Sequence, residues 1–596
     1  QKSKYWRRLD NSAKIFPIAS SKKYSSVFRL SAVLKEKINA KILRKATELT
    51  LEKIPSFKVK LKRGAFWYYF EENNKKILIE KEKNYPCKYI DPITNNDYLF
   101  KITYYENKIN VDIFHSLTDG NSGVVFLKEI VYTYLELAHP EDFSTKLRLD
   151  RKLSNNTEDD YLKNYDKKSK KGKGGKRAYI LKGRKLPFAA IGVIHVNINI
   201  EDLKAKAKEK GVTVTQYLTA VIIYAIYNTN YQKYNGQKPI KVCIPVDLRK
   251  YFKSETVSNF FSYITVQADM NTKMLQTFEA ILKFVKQNFE TMLTKEEISK
   301  TMSANVKLGN NAFIKSIPLF LKLVIVKLSY IEIRKYTTTT FSNIGRIGII
   351  GKYQKYIDKF LMLIAPESVE KIKCSSCSFE NNLVFTFTST LESTEIEQEF
   401  CKKLKEEGIE ISVEGNGCMT LYPRVRNVKE ASLASIIMLI LSIITIIVCV
   451  TVNLCTSTRY LWCLIVIAGI IYAWITAMYS IHRNVNIGSS VTLQFIIISI
   501  LTIVIDLIFD YKGWAINIAI PIIIIIANVT MLVLTICSVN RYYKYAIYQL
   551  IIFAFSMVPL VIYFAFDNVI TMPVLTIISS SITLFTFVMS LILCGR

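Results

Sequence analysis

Long apolar segments fill the C-terminal part of this chain and constrain its fold more than any other feature. Between Ala431 and Arg596 there are only six Lys/Arg and three Asp/Glu residues, and most of them lie between the apolar segments. A run of about 20 apolar residues crosses a bilayer core as an α-helix, and six successive runs make buried helices of a soluble domain improbable. The predicted spans are 433–453, 461–481, 491–509, 516–537, 547–566 and 574–594. The sequence therefore predicts an all-α transmembrane domain of six helices.

The basic residues around these spans are distributed unequally. One side of the membrane receives Arg424, Arg426, Lys429, Arg483, Arg541, Lys544 and Arg596. The other side receives only Arg459 and Lys512, together with Asp510 and Asp567. Because basic residues that flank spans stay in the cytoplasm, this pattern predicts a multi-pass cell-membrane protein whose first 430 residues and C-terminus are cytoplasmic.

Two polar residues in the apolar segments bear on a transport role. Asp506 is the only ionisable residue well inside a predicted span, and Asn528 lies in the middle of another. Transporters usually carry several ionisable groups at mid-depth, so the sequence favours an anchor. The two residues nevertheless suggest a surface of the membrane domain that presents a substrate.

The first 430 residues have the composition of a soluble region in which strand-like and helix-like patterns alternate. They hold most of the net charge of +31, with a dense basic stretch at Asp166–Arg177. Such a stretch is attracted to anionic lipid or to nucleic acid, or it reflects a general excess of lysine, and no other feature supports nucleic acid. We predict an N-terminal lobe over 1–150, a linker over 151–185 and a C-terminal lobe over 186–430.

The hexapeptide HSLTDG, from His115 to Gly120, is the strongest signal of chemistry in this soluble region. Residues 101–113 are strand-like and residues 124–135 carry apolar side chains at helical spacing, so His115 lies where a strand ends. A side chain at such a corner projects into a cleft, where an imidazole can act as a general base. The alternative is a half-buried histidine that only packs. The other three histidines are His139, His195 and His482.

HSLTDG is similar to the HxxxDG signature of the superfamily that includes chloramphenicol acetyltransferase, the condensation domains of peptide synthetases and bacterial alcohol acetyltransferases. Four further segments resemble alcohol acetyltransferase-like proteins: YWRRLDNSAKIFPI, EDLKAKAKEKGVTVTQYLTAVIIYAIY, IPVDLRKYF and FSNIGRIG. The resemblance implies a two-lobed α/β (α+β) fold of the chloramphenicol acetyltransferase type, with an active-site tunnel between the lobes.

Two departures from the superfamily pattern are visible. Phe114 stands where the HHxxxDG form has its first histidine, and the DFGWG motif of condensation domains is missing. The base of the superfamily is the second histidine, which His115 matches, so the first departure leaves the chemistry intact. The second departure argues against peptide-bond formation on a carrier protein.

The resemblance also implies roles for the motif residues in O-acyl transfer from an acyl thioester. His115 would take the proton of the acceptor hydroxyl, Asp119 would hold the loop through a salt bridge, and Gly120 would let the loop turn. In the superfamily an arginine pairs with the motif aspartate. The candidates are Arg249, which directly follows the strand-like VCIPVDL, and its competitors Arg29 and Arg334.

The β-prone stretch TTTTFSNIG ends in a turn-like Asn-Ile-Gly. If this strand end reaches the tunnel beside His115, its side chains would donate hydrogen bonds to a developing oxyanion. The candidates are Thr340, Ser342 and Asn343. One such donor contributes about 3 kcal/mol in acyl transfer, although these residue types are equally ordinary in strands. Asn259 with Phe260 and Phe261 forms another polar and apolar cluster, for which packing of the two aromatics is the simpler account.

Neither a metal nor a permanently bound cofactor is predicted. The chain has 11 cysteines, and Cys374 and Cys377 form a single CxxC without a second pair or a histidine at zinc-ligand spacing. Acyl-CoA is expected as a co-substrate. The other expected partners are the membrane and a hydroxyl acceptor, which is a small alcohol, a sugar or a lipid; nucleic acid is not expected.

Two other classes of function stay open from the sequence alone. A membrane-bound binding or structural protein could keep this fold without the chemistry, and a transporter could carry a fused acyltransferase-like lobe. The complete histidine, aspartate and glycine of the motif favour the enzyme.

Overall fold

The structure is a computed structural model that describes residues 6–21, 25–143, 154–166, 175–186, 190–270, 277–367, 369–415, 422, 429–456, 461–482, 487–537, 543–566 and 569–595. The chain divides into two compact units, Gln1–Arg426 and Asn427–Arg596. Residues 167–174 of the basic stretch lie outside the described residues. So do the charged residues Arg424, Arg426, Arg459, Arg483, Arg541, Arg596 and Asp567. The orientation in the membrane therefore stays a prediction.

The first unit combines strands and helices. Its described strands are β1 (Trp6–Arg8), β2 (Val27–Leu34), β3 (Val59–Arg63), β4 (Tyr68–Glu72), β5 (Ile79–Lys81), β6 (Phe100–Tyr105), β7 (Lys108–Phe114), β8 (Gly192–Asn199), β9 (Ile240–Asp247), β10 (Phe261–Ala268), β11 (Thr339–Arg346), β12 (Ile357–Ile364), β13 (Ile372–Phe379), β14 (Asn382–Ser389) and β15 (Ile411–Gly415). Its described helices are α1 (Phe16–Ala19), α2 (Ala40–Lys53), α3 (Gly120–Ala138), α4 (Asp160–Asn164), α5 (Ile200–Glu209), α6 (Val214–Ile226), α7 (Arg249–Phe252), α8 (Phe278–Met292), α9 (Lys295–Asn310), α10 (Ala312–Ser316), α11 (Leu319–Ile333), α12 (Gly351–Gln354) and α13 (Glu395–Glu406).

The strands form three sheets. A three-stranded sheet has the order β1-β4-β3, a five-stranded sheet the order β12-β2-β7-β6-β5, and a seven-stranded sheet the order β10-β9-β11-β13-β14-β8-β15. In the seven-stranded sheet, β11 runs parallel to both of its neighbours. Parallel neighbours need a long connection, which the helices α8 to α11 between β10 and β11 supply.

Two hydrophobic cores lie on the two larger sheets. One core surrounds the five-stranded sheet with α2 and α3 and includes Leu30 and Phe126. The other covers the seven-stranded sheet with α6 and α8 and includes Phe385. Helix α3 packs so closely on its sheet that a Cβ at Gly123 would lie 3.0 Å from Ile113 Cδ1. This close packing places the N-terminal end of α3 directly beside the end of β7.

Strand β12 joins the sheet that the N-terminal residues form, although by sequence it lies in the predicted C-terminal lobe 186–430. It runs antiparallel to β2, with Leu361 opposite Ser31 and Ile364 opposite Phe28. The predicted linker 151–185 is therefore not the only place where the chain passes between the two sheets, since β12 returns to the first one.

Local sequence signals account for the ends of several elements. Thr213 caps α6 in a capping box, and Gly211, with φ of +65°, lies in the turn before it. The stretch TTTTFSNIG forms the predicted strand, but this strand does not end at Asn-Ile-Gly. Instead, β11 continues to Arg346 through a bulge between Asn343 and Gly345, whose φ of +82° suits a glycine.

The second unit consists of helices in its described residues. They are α14 (Lys429–Thr456), α15 (Cys463–His482), α16 (Ile487–Ile508), α17 (Ile520–Cys537), α18 (Tyr543–Ser556), α19 (Val558–Ala565) and α20 (Pro573–Gly595), with a π-helical turn at Ala515–Ala519. Five segments are long and apolar enough to cross a membrane: Met438–Thr456, Gly488–Ile508, Ala515–Ile536, Tyr548–Ala565 and Pro573–Ser590. The predicted span 461–481 corresponds to α15, whose described apolar part, Cys463–Thr476, is shorter than these five. Five candidate spans are thus present among the described residues, and the sixth stays a prediction.

The two polar residues of the apolar segments are buried and hydrogen-bonded within this unit. Asp506 accepts a hydrogen bond from the backbone N–H of Lys512 (3.1 Å). Asn528 donates to Thr583 Oγ1 (3.0 Å) and accepts from Gln549 Nε2 (3.1 Å). Both side chains are therefore turned to the inside of this unit, and the expectation of a surface that presents a substrate stays a prediction.

Candidate active site

His115 lies directly after β7, and its backbone N–H donates to the carbonyl of Ser26 at 2.9 Å. Three aromatic rings surround its imidazole. Phe16 stacks on it with ring centroids 4.6 Å apart, and Phe28 and Phe261 each lie at 5.2 Å between centroids. Since Phe28 belongs to the five-stranded sheet and Phe261 to the seven-stranded sheet, the imidazole lies between the two sheets.

Asn259 sets the orientation of this imidazole. His115 Nδ1 is 3.1 Å from Asn259 Oδ1, and Asn259 Nδ2 donates to Asp10 Oδ2 at 3.1 Å. The backbone N–H of Asn259 donates to the same carboxylate oxygen at 3.2 Å. Because an amide oxygen only accepts hydrogen bonds, Nδ1 carries the hydrogen and Nε2 keeps its lone pair. This is the tautomer that a general base requires.

Burial lowers the pKa of His115 below its ordinary value, and the positive charge of Lys373 lowers this pKa further. The backbone carbonyl of His115, the charge of Asp119 and the hydrogen bond with Asn259 act in the opposite direction without reversing the shift. Burial also raises the pKa of Asp10 to about 7, against the hydrogen bonds that it accepts. The imidazole is therefore neutral at neutral pH and able to take up a proton.

Asp119 connects the start of α3 to the segment that precedes β10. As the N-cap of α3, its Oδ1 accepts a hydrogen bond from the N–H of Ser122 at 3.2 Å. Its Oδ2 accepts from the N–H of Phe260 at 2.9 Å and lies 2.9 Å from Arg249 Nη1. Arg249 Nη2 in turn donates to the carbonyl of Ser258 at 2.8 Å.

The ion pair of Asp119 and Arg249 thus holds the segment that carries Asn259. Ser258 and Phe260 flank this asparagine, and each is bonded to one member of the pair. The side chains of the pair are only 6% and 15% exposed. Loss of the ion pair would therefore displace Asn259 and alter the orientation of the His115 imidazole.

The two competing arginines have other partners. Arg29 pairs with Asp112, with Nη2 and Oδ2 2.6 Å apart, and Arg334 pairs with Glu367. Of the three predicted candidates, Arg249 is the one that contacts the motif aspartate.

Gly120 has a different role from the predicted one. It is the first residue of α3, and its φ is not in the positive region, so the expectation that it lets the loop turn is wrong. A Cβ at this position would lie 3.3 Å from Ile344 Cδ1 and 3.9 Å from Met362 Cε. The glycine instead permits the close approach of β11 and β12 to the motif.

The three predicted oxyanion candidates all lie on β11. Thr340 Oγ1 donates to Glu370 Oε2 at 2.9 Å, and Asn343 Nδ2 donates to a threonine hydroxyl in the first turn of α6 at 3.0 Å. Ser342 is half-buried. Strand β11 contacts the motif through Ile344, which lies beside Gly120. The side chains of Thr340 and Asn343 form their hydrogen bonds elsewhere.

Lys373, which affects the pKa of the base, belongs to a buried group of charged side chains on β13 and the loop before it. Its Nζ lies 3.1 Å from Glu367 Oε1 and 3.5 Å from Glu370 Oε2. Ser375, two residues on and therefore on the same face of the strand, donates to the carbonyl of Met362 in β12 at 2.6 Å. The charged group thus lies on the face of the seven-stranded sheet that is turned towards the other sheet.

Three residues around the base are not predicted by the sequence. Asp10 and Phe16 lie in the opening segment, which carries only the family resemblance, and next to Asn259 packing accounts for only the two aromatics. The hydrogen-bond partners of Asn259 are 144 and 249 positions away, so no local pattern indicates them. One local feature could have indicated a role for Asn259. It is an amide side chain next to aromatic residues just before a strand, and an amide that is buried there needs hydrogen-bond partners.

Cys374 and Cys377 are both buried on β13, but they face opposite sides of the sheet. Cys374 packs in the core of the seven-stranded sheet and Cys377 in that of the five-stranded sheet. Alternate sides are expected for residues three apart on a strand, so the pair does not converge on one metal position. In the part of the chain that the structure describes, no group of three or more metal-ligating side chains is found.

Two family models match different parts of the chain, one in the charged soluble region and one in the apolar C-terminal region. Residues 189–349 match the model of the alcohol acetyltransferase family, and residues 422–596 match a family of unknown function (DUF6320). The resemblance to alcohol acetyltransferases is thereby confirmed over 189–349, a segment that includes Arg249 and Asn259 but begins after the HSLTDG motif. A comparison with curated proteins finds no match.

Several solved structures are similar to this chain over about two thirds of its length. Polyketide synthase associated protein 5 from Mycobacterium tuberculosis is 13% identical with a TM-score of 0.44 and covers 67% of this chain and 96% of its own. TRI101 from F. graminearum, complexed with ethyl coenzyme A, is 12% identical with a TM-score of 0.46 and covers 69% and 100%. The first condensation domain of the CDA synthetase is 9% identical with a TM-score of 0.45 and covers 70% and 97%.

Proposed function

We propose that this chain is a membrane-bound O-acyltransferase that moves an acyl group from a CoA thioester to an acceptor hydroxyl. The acyl group that we propose is acetyl. The match of residues 189–349 to alcohol acetyltransferases supports the reaction class. The single observation that carries the proposal is the 3.1 Å contact between His115 Nδ1 and Asn259 Oδ1. It supports Nε2 as a base inside an aromatic-lined site between two sheets.

In the proposed reaction, Nε2 of His115 takes the proton of the acceptor hydroxyl as the hydroxyl oxygen forms a bond to the thioester carbonyl carbon. The tetrahedral intermediate collapses with cleavage of the carbon–sulfur bond. The imidazolium returns its proton to the departing thiolate, so that the products are an ester and free CoA. A general base of this kind contributes about 10²–10⁴-fold to the rate, and no covalent enzyme intermediate is needed.

The surrounding residues hold the base and the intermediate. Asn259 keeps the tautomer of the imidazole, and the ion pair of Asp119 and Arg249 keeps Asn259 in place. Thr340 and Asn343 donate to other partners, so we assign the hydroxyl of Ser342 as the oxyanion donor among the three candidates on β11.

The membrane part of the proposal is supported by the five candidate spans, to which α15 would add a sixth. The excess of lysine and arginine on one side would place the first 430 residues and the C-terminus in the cytoplasm. An acyl-CoA donor is available on that side. The acceptor would be a small alcohol, a sugar or a lipid with a free hydroxyl.

The proposal is tested with the purified full-length protein, acetyl-CoA and a panel of alcohols and sugars. We expect ester and free CoA to form in equal amounts, measured by mass spectrometry and by thiol titration. CoA release without an acceptor serves as the background for thioester hydrolysis. Folded protein that forms no ester with any acceptor of the panel, in detergent or in vesicles, would contradict the proposal.

The pH profile gives a separate test of the tautomer. Because burial lowers the pKa of His115, the rate should fall only when the pH drops below about 6.5, the ordinary histidine value. Asn259→Ala should lower kcat roughly tenfold, since one hydrogen bond that orients the base is lost, while KM for acetyl-CoA stays unchanged. Asn259→Asp should restore part of kcat and move the acid limb to higher pH, because a second carboxyl group stabilises the imidazolium. An unchanged acid limb in Asn259→Asp would show that this side chain does not contact the base.

A further inference from the structure

Helix α11 exposes apolar side chains and buries a charged one, which is the reverse of a helix on a soluble protein. Leu321, Ile325 and Leu328 are 44%, 53% and 65% exposed, and their spacing places them on one stripe of the helix. Lys322, in contrast, is only 2% exposed. An exposed apolar stripe of this kind marks a surface that meets a partner, a ligand or a membrane.

The buried face of α11 is held by specific contacts. Lys322 Nζ donates to the carbonyl of Phe66 at 3.1 Å and to that of Lys315 at 3.2 Å, and it lies 3.9 Å from the ring centroid of Trp67. The backbone N–H of Leu319 donates to the turn between β3 and β4 at 2.8 Å. These contacts fix which face of the helix is turned inward. They therefore also fix the apolar stripe on the outward face.

The surroundings of the stripe indicate a lipid surface. Phe66 lies in the turn that α11 contacts and is 48% exposed, and Lys315 before the helix and Lys327 within it are exposed. An exposed apolar stripe with exposed lysines nearby suits the surface of an anionic membrane, because the apolar side chains enter the acyl region and the lysines meet the lipid headgroups. The same chain carries five candidate membrane spans.

The stripe is also close to the base. Helix α11 packs against the short helix α1, and Phe16 of α1 stacks on the imidazole of His115 with ring centroids 4.6 Å apart. One short helix therefore separates the exposed stripe from the candidate catalytic residue.

We propose that α11 inserts its stripe of Leu321, Ile325 and Leu328 into the bilayer, and that an acceptor dissolved in the membrane, a lipid with a free hydroxyl, reaches His115 alongside α1. The identity of the acceptor rests on the proposed function, whereas the docking of the helix on the bilayer does not. Hydrolysis of the thioester, or transfer to an acceptor dissolved in water, would not require an apolar stripe on α11.

The docking is tested on the full-length protein in vesicles of phosphatidylcholine and phosphatidylglycerol that contain a phospholipid with a diazirine in its acyl chain. After irradiation, mass spectrometry of peptides should find lipid attached to residues 319–333 as well as to the candidate spans. Absence of lipid from α11 in protein whose spans are labelled would overturn the proposal.

The acceptor route is tested with the double variant Ile325→Ser/Leu328→Ser. We expect acetylation of hexadecan-1-ol in the vesicles to fall about tenfold, because the helix loses apolar area in the membrane, and acetylation of ethanol to stay unchanged. The matched control is Ile93→Ser/Val413→Ser, which removes two other apolar side chains, 43% and 52% exposed, and should change neither rate.

The outcomes separate the two proposals. An equal rate with hexadecan-1-ol in the double variant and the unchanged protein would overturn the acceptor route, whatever the labelling shows. Labelled α11 together with failure to acetylate either alcohol would overturn the proposed function and still support docking of the helix on the bilayer.

Discussion

Replacement of His115 by alanine is expected to lower acyl transfer about 10²–10⁴-fold while the protein stays folded, because the substitution removes the base and leaves the rest of the site in place. The rate of ester formation from acetyl-CoA measures the effect, and a thermal melt checks the fold. The backbone hydrogen bond from His115 to Ser26 does not depend on the side chain. The substitution removes the stack with Phe16 and the partner of Asn259 Oδ1, so a loss of about 1–3 kcal/mol in the free energy of unfolding is expected.

His139→Ala is the matched control for this experiment. This histidine is half-buried, stacks on Tyr356 at 4.3 Å and bonds to Glu36, so its loss resembles that of His115 in packing but not in position. It should leave the rate unchanged. Undiminished turnover in His115→Ala would remove this residue from the mechanism and leave the site without a base.

The second large effect is expected from the ion pair of Asp119 and Arg249. Both side chains are largely buried, so removal of either leaves a buried charge with fewer partners, and each of Asp119→Asn and Arg249→Ala should lower the free energy of unfolding by about 3 kcal/mol. Because the two residues form one unit, the double variant should cost little more than either single one. Chemical denaturation of the four proteins in detergent measures the three differences.

Arg184→Ala supplies the control for a charge removed from the surface. Its partner is Glu392, and its side chain is 86% exposed, so the change should be close to neutral. Strictly additive losses in the double variant of Asp119 and Arg249 would show that the two do not interact in solution.

The same variants also distinguish a structural role from a positioning role. Since Ser258 and Phe260 connect the pair to Asn259, Asp119→Asn should lower kcat as Asn259→Ala does. It should also move the acid limb of the pH profile to lower pH, because the charge of Asp119 raises the pKa of His115. A loss of stability with an unchanged acid limb would limit the pair to holding the fold.

The amino-acid sequence by itself determined the features that depend on neighbouring residues. An uninterrupted apolar run crosses a membrane as a helix, because the backbone groups of a helix bond to each other. Among the described residues, five of the six predicted spans coincide with helical segments that are long and apolar enough to cross a membrane. The strand before His115 and the helix α3 after it follow from alternation and helical spacing, as the cap at Thr213 follows from a polar residue before an apolar helix.

Only the tertiary structure decided which distant residues meet. The sequence did not decide which of three arginines pairs with Asp119, and it indicated no partner for Asn259. The contacts of both residues join positions more than one hundred residues apart, so no local sequence pattern indicates them. In the same way, apolar periodicity reports that one face of a helix avoids water but not what covers that face. The burial of Lys322 beneath an exposed apolar stripe, the inward turn of Asn528 and the return of β12 to the first sheet therefore depended on packing between elements, which local pattern does not record.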